Sequence, residues 1–289
     1  MSAAGFESIG EILERVIPEI RGGIENDAGE QIGEITDEEH EHSLFLDKLA
    51  AIEDVGQVEA AEEEARLHAR ESLSETMRKD QRRRDAALWI WDQSKPAPGT
   101  LAETYFRARG CNLPESPYIR FCEALRYPGT DLMLPAVICG ITFWPQRIVE
   151  SILRIYLTPS GDAKAEVENA KLMLGPVMGG AVRLAAPGAR MAVCEGIETG
   201  ASLLTATDLP VWAALSTAGL KALEIPPPEQ VPEVVICADR DENRAGENAA
   251  EDAAKRWHER GHVVRIVLPS PGFNDFNDML TGTQIRGDE

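Results

Sequence analysis

From Met191 to Pro269 short apolar runs alternate with helix-type stretches: MAVCEG, IETGASLLTAT, VWAAL, STAGLKALE, VVICAD, AGENAAEDAAKRWHERG and VVRIVLP. Parallel strands need a crossover long enough to hold a helix, so this rhythm dictates βα units around a four-stranded, mainly parallel sheet flanked by helices. Sheets of that kind bind ligands just beyond the carboxyl ends of their strands. Three places then stand out: Glu195–Gly196 after the first run, Asp239–Asp241 after the third, and FNDFND after Pro269.

In an extended exit, residues two apart share a face, so Asp239 and Asp241 point the same way. At 4 Å two carboxylates repel by about 4 kcal/mol when the effective dielectric is about 20. A hard cation offsets that repulsion, and Mg²⁺ takes oxygen ligands while keeping several waters. Asp275 and Asp278 arrive after the fourth run. Any one of these acids alone reads as a helix N-cap. Acids at three strand ends along one edge favour a metal site.

Upstream the pattern changes. The first 65 residues hold 19 acidic and 3 basic side chains, so this segment carries most of the net charge of −20. It reads as a largely helical or partly disordered acidic segment, residues 1–65. One short amphipathic helix is expected at 6–20 and a second apolar face around Leu44, Leu46 and Leu49. The rest is close to neutral, so the acidic total does not exclude a local basic surface.

Glu59 to Trp91 reads as one long helix with acids early and bases late, which suits the helix dipole. Its segment MRKDQRRRD is read either as a solvated face or as a contact for nucleic-acid phosphates through Arg82, Arg83 and Arg84. Trp89 and Trp91 fall on different faces, one for the core and one able to stack on a base. After the break SKPAPGT comes a helix, LAETYFRARG, and then strands within YIRFC, LPAVICGITFW and ESILRIYLTPSGD. Residues 66–185 therefore form a helical region plus an α+β subdomain, AAPGAR is the boundary, and 190–285 the βα domain.

Five dispersed cysteines without a C-x-x-C pair suggest no zinc site and no disulfide framework. Cys194 and Cys237 are expected to pack as small buried residues, and His258 and His262 to lie at a solvated helix end. No apolar run approaches the roughly 20 residues a spanning helix needs and no signal peptide is evident, so a cytoplasmic location and no membrane partner are expected.

VCEGIETGASL, ADRDENRAGENAA and FNDFNDML together resemble the Toprim domain, the metal-binding catalytic fold of bacterial-type primases, topoisomerases and some nucleases. Upstream, ALWIWDQSKPAPGTLAETYFRARG, LPAVICGIT, YLTPSGDAKAE and KLMLGPVMGGAVRL resemble the primase-like region that precedes Toprim in plasmid, phage and integrative-element primases. The resemblance covers roughly Ala86 to Gly282. It implies Glu195 as general acid/base or metal ligand. Asp239 and Asp241 would hold Mg²⁺ or Mn²⁺, and Asp275 and Asp278 would support a second metal or the incoming triphosphate. Gly196 would let a phosphate approach a helix start, and Arg154, Lys171 and Arg183 would serve template or nucleotide phosphates.

The function implied is a primase-type nucleotidyltransferase that makes RNA primers on single-stranded DNA from nucleoside triphosphates. A Toprim-class nuclease and a non-catalytic replication accessory protein with an acidic arm are the alternatives. Two departures bear on initiation. The first 85 residues contain no cysteine for the usual zinc-binding module, and no G-x-x-x-x-G-K-[ST] loop of a helicase occurs. A separate zinc-bearing or helicase partner would supply those functions.

Overall fold

The computed structural model describes residues 55–207, 209–240 and 244–283, with side chains from Arg66 onward. The helices expected at 6–20 and around Leu44–Leu49 lie outside the described residues. The chain divides into two units, Met1–Arg70 and Glu71–Glu289. Of the first, the described part is the start of helix α1 (Val55–Gln93); every other element belongs to the second.

From Arg66 to Asp85 the described side chains of α1 are mostly exposed, as its charged sequence requires, and the helix becomes anchored near its end through Ala87 and Trp91. Strand β1 (Lys95–Pro96) follows, then α2 (Leu101–Ala108), whose N-cap Thr100 accepts a hydrogen bond from the Ala102 amide at 3.2 Å. β2 (Ile119–Arg126), β3 (Met133–Phe143), β4 (Ser151–Tyr156) and β5 (Lys171–Leu174) form an antiparallel ladder. β6 (Gly180–Arg183) pairs with the far end of β3.

The βα series follows as its rhythm requires. Its elements are β7 (Arg190–Cys194), α3 (Ile197–Ala206), β8 (Val211–Ala213), α4 (Thr217–Ala222), β9 (Glu233–Cys237), α5 (Ala245–Glu259), β10 (Val263–Val267) and α6 (Phe276–Thr281). The four strands are parallel in the order β8-β7-β9-β10. β6 adds antiparallel to β8, so the two groups of strands share one sheet.

Alternation along the strands sorts the core. Met191, Val193, Val234 and Ile236 face Leu220, Ala249, Ala253 and Trp257 of α4 and α5. Ala192, Cys194 and Cys237 face the other way, into a core containing Ile197 and Ala201 of α3 and Tyr105 and Phe106 of α2. The small residues of α3 permit a close approach. A Cβ on Gly200 would stand 2.5 Å from Leu184 Cδ1 and 3.2 Å from Cys194 Sγ. Gly200→Ala is therefore expected to cost about 1–3 kcal/mol through overpacking, read as a lowered melting midpoint by circular dichroism. An unchanged midpoint would mean that Leu184 yields without strain.

Cys194 and Cys237 are buried, as their apolar surroundings predict. His262 departs from expectation: it is buried, with Nδ1 2.8 Å from the Val231 carbonyl oxygen, because it leads directly into β10, whose first residue Val263 donates its amide to the Pro232 carbonyl at the entry to β9. His258 is exposed. Among the described residues, no helix is long and apolar enough to cross a membrane.

Candidate active site

Glu195 and Asp239 follow neighbouring parallel strands. Cys194 lies opposite Cys237 in the β7–β9 ladder, so the chain leaves the sheet side by side at these two carboxylates. The connection from β7 runs through α3 to one side and that from β9 through α5 to the other, so the order of the sheet reverses between them. That reversal opens the crevice in which α/β sheets receive ligands. Burial is the main reason the Cys194 thiol is pushed well up, and Cys237, Asp239 and Glu195 add to the effect. Both carboxylates thus lie within electrostatic reach of one sulfur. One oxygen of each, Oε1 of Glu195 and Oδ1 of Asp239, is shielded from solvent. Asp241 lies outside the described residues.

Arg240, which separates the two aspartates, brings the third motif to the same edge. Its backbone amide donates to the Asn274 carbonyl at 2.7 Å and its guanidinium to the Pro269 carbonyl at 3.0 Å. Asp275 caps α6, accepting from the Asp278 amide at 2.8 Å. Asp278 Oδ2 accepts from the backbone and side-chain amides of Asn274 at 3.4 and 3.3 Å. In the free chain these two acids hold a helix start, which is the role a lone Asp at such a position commonly has. Asn277, unremarked in the sequence, is buried and donates to Arg109 O at 2.7 Å and Ser202 Oγ at 3.0 Å, tying α6 to α2 and α3.

Gly196 is the N-cap of α3, with φ of −87° and no side-chain cap. A Cβ there would meet Thr199 Oγ1 at 3.0 Å. Two residues later comes a residue that sequence reasoning missed. Glu198 is buried, yet it is ionised: Lys171 Nζ stands 2.6 Å from Oε2, Lys164 Nζ 3.2 Å from Oε1, and the Tyr105 hydroxyl donates to Oε1 at 2.6 Å. Burial alone would raise its carboxyl pKa, but Lys171 and Lys164 outweigh it and hold the value down at about 2. The same burial pulls Lys164 below its ordinary value and, with Glu198, pushes the Tyr105 phenol far up. An acid in the first turn of a helix is the ordinary placement, so the sequence carried no local signal for this role.

The basic residues expected to meet phosphates are placed differently from one another. Lys171 is engaged with Glu198. Arg154 is buried in β4, with long hydrogen bonds of 3.4 Å to the Tyr156 hydroxyl and to the Leu172 carbonyl. Arg183 is buried too, its guanidinium 4.5 Å from the Trp212 ring centre and donating to the Gln146 carbonyl at 2.7 Å. Arg84 pairs with Glu150 at 2.8 Å, while Arg82 and Arg83 are exposed.

Among the described residues, no group of three His, Cys, Asp or Glu side chains is placed to hold a metal ion. The described donors at the edge, Glu195 and Asp239, offer only carboxylate oxygens. That chemistry fits a hard divalent cation held by one or two carboxylates and completed by water and substrate phosphate. A cavity of about 350 Å³ opens elsewhere, lined by Leu113, Glu115, Leu184 and Thr205 among others, and none of its lining residues belongs to the carboxyl edge.

Residues 190–284 match the family described as Toprim domain. The chain carries a Toprim domain. Residues 81–184, which precede the Toprim domain, match a domain of unknown function, DUF7146. Among curated proteins, none matches the chain. Among solved structures, the chain is similar to a DNA primase domain from Pseudomonas aeruginosa, at 18% identity over 56% of this chain and 53% of that one, with a TM-score of 0.35. It is also similar to the DnaG primase catalytic domain bound to ssDNA, at 14% identity over 70% and 75%, with a TM-score of 0.48. A third is the Aquifex aeolicus primase, comprising zinc-binding and RNA polymerase domains, at 14% identity over 71% and 57%, with a TM-score of 0.41. The chain spans about half the length of the Pseudomonas primase domain that it matches.

Proposed function

We propose that this chain is a primase-type nucleotidyltransferase of the kind found in mobile elements, making RNA primers on single-stranded DNA. The observation that carries this reading is the pair Glu195 and Asp239, leaving adjacent parallel strands where the sheet order reverses. Glu195 would take the proton of the attacking ribose 3′-hydroxyl. The new bond joins that oxygen to the α-phosphorus of the incoming nucleotide, and the bond to pyrophosphate breaks. Asp239, with Asp241 beside it in sequence, would hold Mg²⁺ or Mn²⁺, and Asp275 and Asp278 would support a second ion or the triphosphate. When bound, such a cation neutralises charge on phosphate oxygens.

Glu198 does a different job. Lys171, Lys164 and Tyr105 fix it from α2 and the β4–β5 region, and so pin the first turn of α3, which starts immediately after Glu195. The carboxylate that handles the proton thus stands on a braced turn.

The test uses wild-type protein, single-stranded DNA and labelled ribonucleoside triphosphates, with Mg²⁺ or with EDTA. New RNA product in Mg²⁺ and none in EDTA is expected. Shortening of labelled DNA or RNA without nucleotides, and no synthesis, would replace this reading with a Toprim-class nuclease.

A further inference from the structure

The last part of α1 has two unlike faces. Inward, Ala87 and Trp91 are buried, Arg120 stacks 4.3 Å from the Trp91 ring centre, and Arg84 pairs with Glu150. Outward, Trp89 is 65% exposed, although an indole of that size normally finds cover. Arg78 and Arg82 lie on the same stripe as Trp89: spacings of four and seven residues keep all three within about 40° around the helix axis. The stripe extends about 16 Å along the helix. Lys79 and Arg83 flank it on one side.

Arg78, Lys79, Arg82 and Arg83 are all exposed, and among the described residues none has a carboxylate within 4.0 Å. Asp85 shares the stripe and accepts a hydrogen bond from Gln81 at 2.7 Å. Thr76 to Trp89 holds five basic residues and two acidic ones, a local excess of positive charge in a chain whose net charge is −20. On a solvated helix an arginine gains a few tenths of a kcal/mol, about 0.2–0.5, from an acid three or four residues away. Here the arginines stand beside an uncovered indole instead.

We infer that this outer face of α1, formed by Arg78, Arg82 and Trp89 with Lys79 and Arg83 alongside, binds single-stranded nucleic acid, the arginines meeting phosphates and the indole stacking on a base. Charge complementarity selects a polyanion, and the exposed aromatic selects one with unstacked bases, because a duplex keeps its base faces covered. The inference rests on the proposed template-directed function and assigns where the strand is gripped, away from the carboxyl edge.

The experiment measures binding of the full chain to a fluorescein-labelled oligothymidylate by anisotropy, in EDTA, over a range of salt concentrations. Trp89→Ala is expected to weaken binding roughly tenfold with little change in salt dependence, and Trp89→Phe to restore most of it. Arg78→Ala with Arg82→Ala is expected to lower the salt slope by about 1.4, the contribution of two single-strand phosphate contacts. Circular dichroism checks that each variant folds. Unchanged binding in both sets of variants, with wild type bound, would overturn the inference and leave this face to a protein partner. Failure of the wild type to bind the oligonucleotide at all would overturn the template reading as well. Asp239→Ala serves as a separate control: it is expected to bind like wild type whatever its effect on synthesis.

Discussion

Glu195→Gln is expected to lower ribonucleotide incorporation by about 10²–10⁴-fold, the usual range for removing a positioned proton acceptor. Glutamine keeps the size of the side chain and a hydrogen-bonding oxygen, but neither its charge nor its basicity. Asp239→Ala is expected to fall in a similar range, because a lost cation ligand leaves charge at the transferring phosphate uncompensated. The two losses should not multiply in the double variant, since both groups act on one reaction centre. Steady-state primer synthesis measures the effect, with melting midpoints to confirm that both variants fold. A variant retaining half the wild-type rate would remove its residue from the mechanism.

Glu198→Gln is expected to destabilise the protein by roughly 2–4 kcal/mol. Removing one partner of a buried ionic cluster usually costs about 3–5 kcal/mol, and the discount reflects Lys164 and Lys171 each being about one-third exposed. The pH dependence has a definite sign. The Glu198 carboxyl titrates at about 2 in the folded chain against an ordinary value of 4.5. A depressed carboxyl pKa gives stability that is fully present above the ordinary value. It is lost as pH falls from about 4.5 towards 2, at up to about 1.4 kcal/mol per pH unit. Urea unfolding of wild type and variant at pH 6, 4 and 3 should therefore show their difference shrinking on acidification. Parallel curves at all three values would mean that the carboxylate is not held ionised by its lysines.

Much of this was legible in the chain because period and punctuation carry it. The apolar runs at Met191, Val211, Val234 and Val263 each became a strand, and the carboxyl-end rule put the acids that follow them along one edge, while the pairing of β7 with β9, which sets Glu195 next to Asp239, came from the structure. What escaped reading depends on contacts between residues far apart in sequence. Nothing local distinguishes Glu198 from a solvated helix acid; Lys171, Lys164 and Tyr105 make it a buried one. Arg154 and Arg183 are expected from the sequence to serve template or nucleotide phosphates, yet both are buried against aromatic rings and backbone carbonyls. The segment GAVR is too short to announce itself as a strand, and its antiparallel partner β8 lies beyond the boundary assigned at AAPGAR.

That short strand β6 changes what kind of machine the second unit can be. A tether between two lobes would let them swing, whereas β6 welds the β2–β5 ladder to the βα series through backbone hydrogen bonds. From β3 through β6 and β8 to β7 there are three strand spacings, about 14 Å, and no hinge among them. A strand of nucleic acid gripped on α1, whose Trp91 packs against Gly140 of β3, and reacting beyond β7 would thus be measured against a gauge of fixed span. The sheet, not a moving clamp, would set how far from the grip the chemistry occurs.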